Sequence, residues 1–299
     1  MLLEKRMSAS YLFEKIRVDL LIVVLISIAG ALLVEFERPY LPELPVALAA
    51  FLGTAISLIL SFKLNQSYDR WWEARKIWGA IVNDSRTLVR QALSFPANAE
   101  DARVDVVRLA RRQIAWCYCL GQSLRGLDWR QRSVEHLEAD EIAALERHSN
   151  KPLALLQLHA RTLSELAARD QLTDYQRVAM DEILTRLTDS MGKAERINNT
   201  VFPRTYRVFL KAFIYVFITV LSISLGEVAG LWEIIVSTVI STPFLLLERT
   251  ANHMQDPFAN RPTDTAVTGI ARAIEINILQ LLGEEKVPAP HPPDGFYLM

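Results

Sequence analysis

The chain has 299 residues, 51% of them hydrophobic and 22% charged, with a formal net charge of −1. That mixture fits neither a pure membrane bundle nor an ordinary soluble domain, so apolar and charged residues must be segregated along the chain. The near-neutral balance excludes the global basic field that a nucleic-acid partner would need, and two cysteines, Cys117 and Cys119, exclude a disulfide framework.

Residues 1–17 read as an amphipathic leader, with Leu2, Leu3, Tyr11, Leu12, Phe13 and Ile16 set among Lys5, Arg6, Lys15 and Arg17. No small-residue cleavage site follows, so the leader does not read as a secretory signal. An uncharged run over 20–34, extended by Val18 and Phe36, predicts a first membrane helix at about 18–36. Pro39, Pro42 and Pro45, interleaved with Glu35, Glu37 and Glu43, make a tight connector. The uncharged run 46–62 then returns, so 18–62 is a predicted transmembrane hairpin.

The chain's parts meet in 46–91. Charges are absent from 46–62 and then crowd in with Lys63, Asp69, Arg70, Glu73, Arg75 and Lys76. No proline interrupts 46–95, and glycine occurs there only at Gly53 and Gly79. This predicts one long helix that leaves a membrane and continues into water. Trp71 and Trp72 suit the boundary, where an indole ring can be apolar on one side and wet at its N–H. The apolar half carries two stripes at spacing four: Gly53, Ser57 and Ser61, which would let helices approach closely, and Thr54, Leu58 and Phe62. By periodicity alone the second stripe is packing surface for another helix.

Residues 63–206 hold most of the charges and read as a helical domain broken at Pro96, Gly126 and Pro152. Its 104–124 stretch is apolar enough to be a buried helix, with Arg111 and Arg112 on one side and the two cysteines as packing residues. An amphipathic helix over 172–197 carries Val178, Ile183, Leu184, Leu187 and Met191. Glu138, Asp140 and Glu141 read as a solvated face. Strand signals are almost absent.

Uncharged runs at 212–225 and 234–247, the latter containing Pro243, are joined by a turn over 226–230 and predict a second hairpin over 207–248. Tyr206, Phe209 and Trp232 flank it as interfacial aromatics. Two hairpins put both termini and the polar domain on one side. Lys15, Arg17, Lys63, Arg70, Arg204, Arg207, Lys211 and Arg249 lie on that side, against Arg38 alone in the short outer loops. The positive-inside rule makes it cytoplasmic. The competing reading is a soluble protein with four buried helices. Residues 249–299 hold a polar stretch, an amphipathic helix over 270–285 and a proline-rich tail.

No phosphate-binding glycine loop, dinucleotide fingerprint or nucleophile elbow occurs. None of the five histidines, His136, His148, His159, His253 and His291, stands at metal-ligand spacing from another. No enzyme and no cofactor is indicated. Asp256 and Asp264, with Asn252 and Asn260 nearby, make an oxygen-rich loop, but Arg261 sits where a calcium site would bring another acid. Asp256-Pro257 also serves as a helix stop.

Three motifs carry a family resemblance. Phe62, Asn65, Ser67-Tyr68, Arg70-Trp71-Trp72-Glu73-Ala74-Arg75 and Trp78-Gly79, followed by Asn83 and Ser85-Arg86, resemble the hallmark of the bestrophin family in its bacterial branch. Asp256-Pro257-Phe258, followed by Ala271-Arg272-Ala273-Ile274-Glu275-Ile276, is a second match, and Glu195-Arg196-Ile197 leading through Pro203 into the third apolar run is a third. The resemblance implies an all-α, homopentameric ion channel in the bacterial inner membrane, with four transmembrane helices per subunit and a large cytosolic helical domain. It implies that the second helix lines the pore and that the stripe Thr54, Leu58 and Phe62 forms its neck, against the packing reading. Thr54 departs from the bulky apolar residue usual there. A second, cytosolic aperture falls by spacing near Tyr175, where the family often has an aliphatic residue. Animal members bind calcium beside the Asn/Asp-Pro-Phe motif. This chain matches at Asp256 and Asp264 but has Ala259 for the usual glycine, Arg261 for an acid and His253 for an amide, so the loop is degenerate and no metal is expected. Animal bestrophins conduct chloride and bacterial relatives can favour sodium and other monovalent cations, so small monovalent ions are the expected cargo. The competing function is a non-conducting membrane-anchored scaffold with a cytosolic helical interaction domain.

Overall fold

A computed structural model describes residues 9–37, 44–226, 231–292 and 297. The start of the leader, Arg38 with the centre of the first connector, and the turn at 227–230 lie outside the described residues. Among the described residues every regular element is helical: α1 (Ala9–Glu37), α2 (Val46–Ser94), α3 (Ala99–Leu124), α4 (Arg130–Ser133) with a 3-10 turn over Val134–His136, α5 (Ala139–Glu146), α6 (Lys151–Ala168), α7 (Asp174–Asn199), α8 (Arg204–Ser224), α9 (Leu231–Gln255) and α10 (Val267–Leu281).

The sequence accounts for most of these boundaries. α2 has 49 residues, about 74 Å of straight helix against roughly 30 Å of hydrocarbon. α1 starts at Ala9, inside the segment read as a leader, and runs unbroken to Glu37. Asn98 caps α3 by accepting from the Glu100 and Asp101 amides, and those two acids lie at the positive end of the helix dipole. Gly126, at φ +66°, supplies the left-handed turn that follows α3. Pro152 opens α6 rather than breaking a helix: it sits in the first turn, where no backbone donor is lost. Thr173 and Gln176 form a reciprocal capping box on α7.

Two compact units emerge, and α2 contributes residues to both. In the first, residues 5–71 and 201–255, α1, α8 and α9 pack against one another. Val23, Ile56, Leu60, Ile214, Phe217 and Leu245 fill the core. A Cβ at Gly30 of α1 would lie 2.7 Å from the Ser222 Cβ of α8, so that crossing depends on a glycine. Leu21, Leu25, Val208, Phe209, Val216 and Val239 point outward, as apolar side chains in contact with lipid would. The four helices containing the apolar runs are each long and apolar enough to cross a membrane. Pro243 lies inside α9 without ending it.

The second unit, residues 72–200 and 256–299 among others, is built around α3, which packs on α6, α7 and α10. Trp78, Leu88, Trp116, Leu120, Leu155 and Ile274 are fully buried there, each contributing about 1.5–3 kcal/mol by leaving water. Cys117 and Cys119 are free and buried, and burial pushes both thiols up to about 12, so they pack and do not react.

Candidate functional site

α2 has one buried face and one bare one. Ala49, Ile56, Leu60, Lys63, Ser67, Ala74, Trp78, Ile81, Ser85, Leu88 and Ala92 are buried along its length at helical spacing. Thr54, Leu58 and Phe62 lie half a turn away. Leu58 is 60% exposed and Phe62 59%, whereas Ile56 and Leu60, two residues along, are at 0% and 1%. Thr54 is exposed too, its hydroxyl donating to the Ala50 carbonyl at 2.9 Å. The structure thus brings the three stripe residues together on one exposed surface, and among the described residues no helix is seated on them. The small-residue stripe divides: Gly53 is buried 3.3 Å, at an added Cβ, from the Phe217 ring, while Ser57 and Ser61 are exposed. Tyr175, in the first turn of α7, is 91% exposed.

Lys63 does not mark the step into water that the charge pattern suggests. Its ammonium is fully buried, 3.0 Å from Glu248 Oε1 and 2.7 Å from Asn252 Oδ1, and Asn252 Nδ2 donates back to Glu248 at 2.5 Å. The signal was available: Lys63 directly follows the second apolar run and Glu248 directly follows the fourth. Asp19 on α1, also buried, takes Lys211 at 2.9 Å and Arg249 at 3.9 Å. Charges at the ends of apolar helices are costly unless paired in this way.

The acids read as a solvated face are divided as well. Glu141 is buried against Arg112, Nε to Oε1 at 2.6 Å, and the same guanidinium donates to the Leu158 carbonyl and to Thr162. Asp140 stays outside, bound to Arg108. His159 is wholly buried, and burial holds its imidazole well below the usual range, which makes it a neutral core residue.

A further buried cluster links α3 to α10. The Tyr118 hydroxyl donates to Glu275 Oε2 at 2.5 Å, Arg272 lies 3.2 Å from the same oxygen and His136 Nε2 lies 3.4 Å from Oε1. Burial alone would raise the Glu275 carboxyl, but His136, Tyr118 and Arg272 outweigh it and hold the group below the ordinary carboxylate range. A lowered carboxyl stabilises the fold above its unfolded pKa and loses that contribution as pH falls through the folded one. Glu275→Gln is therefore expected to cost about 2 kcal/mol at neutral pH, with the gap to the parent closing in acid. Thermal melts of both proteins from pH 7 to pH 3 check this, and a gap that widens in acid would reverse the sign.

In the degenerate loop Asp256 is exposed, while Asp264 is buried with Oδ2 accepting the Arg261 amide at 2.9 Å. Burial pushes the Asp264 carboxyl up to about 6. Among the described residues no three His, Cys, Asp or Glu side chains gather in a way that could hold a metal.

The comparisons with known proteins agree with one another. The family described as Bacterial/Fungal Bestrophin protein matches residues 5–280. The chain is 30% identical over 288 residues to the voltage-dependent anion channel-forming protein YneE of Escherichia coli, covering 95% of this chain and 92% of that one. A voltage-dependent anion channel-forming protein of Ralstonia nicotianae is 30% identical over 235 residues, 79% of this chain and 76% of that one. Among solved structures, a bacterial bestrophin homologue from Klebsiella pneumoniae superposes with a TM-score of 0.84 at 28% identity, over 91% of this chain and 100% of that chain. The two curated relatives are channel-forming proteins by name, the family is not an enzyme family, and the soluble-bundle reading falls with these matches. Hallmark motifs, four apolar helices and the close structural match lead to one conclusion: the chain is an all-α membrane protein of the bacterial and fungal bestrophin family.

Proposed function

We propose that five copies of this chain surround an axial path for small monovalent ions, with α2 lining it and Thr54, Leu58 and Phe62 forming the neck. The observation that carries this reading is the bare face of α2. Leu58 and Phe62 are exposed while the residues half a turn away are buried. Lipid could cover such a face, but its chemistry differs from that of the exposed faces of α1 and of the apolar run of α9. α1 exposes Leu21, Leu25 and Leu32, and α9 exposes Leu231, Ile235 and Val239, whereas α2 exposes Thr54, Ser57 and Ser61 among its apolar residues. Hydroxyls at that spacing suit a surface that meets water and neighbouring subunits. The names of the relatives, anion channel-forming proteins, point the same way. In this arrangement the charged unit lies on the cytoplasmic side of the inner membrane with both termini, and the exposed Tyr175 forms a second aperture there.

Purified protein sealed into liposomes is expected to pass small monovalent ions. In asymmetric NaCl the reversal potential takes opposite signs for chloride and for sodium, which assigns the cargo. Pentamers that pass no ion under any salt or pH would make the protein a membrane-anchored scaffold instead. Flux is also expected to change little on adding a calcium chelator, because Asp256 and Asp264 stand apart in exposure and Arg261 replaces an acid. A large, reversible loss on chelation would restore calcium to the mechanism.

A further inference from the structure

A cavity of about 430 Å³ opens beside the loop that follows α9, within the second unit. Its walls include Gln122, Arg125, Arg132, Asn260, Thr268 and His291, and among the described residues no carboxylate lines it. That volume lies in the range of small-molecule sites.

The two arginines are placed for a ligand more than for this chain. Arg125 follows the last turn of α3, and its Nη1 donates to the Thr268 hydroxyl at 2.6 Å, which pins the guanidinium. Its Nη2 is buried and has no hydrogen-bond partner. A buried cationic donor without an acceptor is costly and calls for an explanation. Asp264 acts on Arg125 through its charge but forms no ion pair with it. Arg132 makes no ion pair among the described residues and sits at φ +64°, a left-handed conformation. A bulky residue held there is strained, and such strain gathers at ligand sites. Asn260, also left-handed at φ +62°, lines the same cavity. Gln122, another wall residue, has a buried carbonyl oxygen with no donor. The inventory is therefore two guanidinium groups for an anion, with Leu127 and Pro262 as apolar wall.

We propose that this cavity binds a phosphate-bearing small molecule, with the phosphoryl group between Arg125 and Arg132. Planar guanidinium groups match phosphate oxygens in pairs, which a carboxylate-free wall leaves uncontested. The proposal stands independently of conduction.

The test is calorimetric titration of the detergent-purified full-length protein at low salt with adenosine monophosphate, inorganic phosphate and adenosine. Saturable binding of the monophosphate is expected, at least about tenfold tighter than adenosine. Arg125→Gln and Arg132→Gln are each expected to weaken it by at least about tenfold. Should Arg125→Gln fail to fold, by size-exclusion profile, Arg132→Gln decides alone, because among the described residues Arg132 makes no ion pair that folding would miss. Tighter binding of the monophosphate than of inorganic phosphate assigns the site to a phosphate monoester; equal affinity assigns it to free phosphate. No saturable binding of either anion up to about 10 mM, adenosine binding as tightly as its monophosphate, or indifference to both substitutions overturns the proposal.

Discussion

Lys63→Met is expected to lower stability by about 3–5 kcal/mol, because removing one partner of a buried ion pair leaves the other charge buried and uncompensated. Here the orphan would be Glu248, 1% exposed, with only Asn252 still donating to it. Glu248→Leu is expected to be as damaging, since it strands a fully buried ammonium on the Asn252 carbonyl alone. The double variant Lys63→Met/Glu248→Leu is expected to recover most of the loss, because two apolar side chains of similar volume need no partner. Removing Arg196, whose pairing with Glu73 is 64% and 40% exposed, should change stability by less than about 1 kcal/mol and serves as the control. Melting temperature and size-exclusion profile in detergent read all four. A Lys63→Met protein as stable as the parent would mean that the lysine is not held by this pair.

The second large effect is expected at the proposed neck. Leu58→Ala and Phe62→Ala should raise ion flux. Repeated around an axis, these side chains make a constriction in which water loses hydrogen bonds it cannot replace and an ion must shed hydration without a partner. Lowering that barrier by about 1.4 kcal/mol raises flux about tenfold. Thr54→Ala should do less, since the Thr54 hydroxyl, though it donates to the Ala50 carbonyl, keeps lone pairs for water and adds less to the barrier. Ile56→Ala and Leu60→Ala lie on the buried face and should cost about 2–5 kcal/mol in stability with no gain in flux. Liposome flux at matched protein content, with assembly checked for each variant, separates the two faces. Leu58→Ala and Phe62→Ala proteins that assemble as the parent does yet conduct no faster would remove the stripe from the pore.

The helices were legible in the sequence because their causes are local. Uncharged runs, the absence of proline from 46–95, a capping box at Thr173 and Gln176, and proline at the start of α6 act within a few residues of one another. The hallmark around Arg70-Trp71-Trp72 was likewise contiguous, which is why it identified the family from the chain alone. The stripe Thr54, Leu58 and Phe62 could be placed on one face by spacing. Whether that face packs or stays bare could not, because periodicity orders side chains around a helix without saying which neighbours arrive. Charge was the least legible property. Lys63 and Glu141 look solvated in the sequence and are buried in the fold, because partners 185 and 29 positions away in the chain neutralise them. Arg125 and Arg132 carried no sequence signal as a pair either, since only the fold sets the turn after α3 beside the loop after α9. The sequence by itself determined the helices, the membrane segments and the family, all encoded in neighbouring residues. Tertiary structure alone decided which charges are buried and paired and which helix face is left open, because those depend on contacts between residues far apart in the chain.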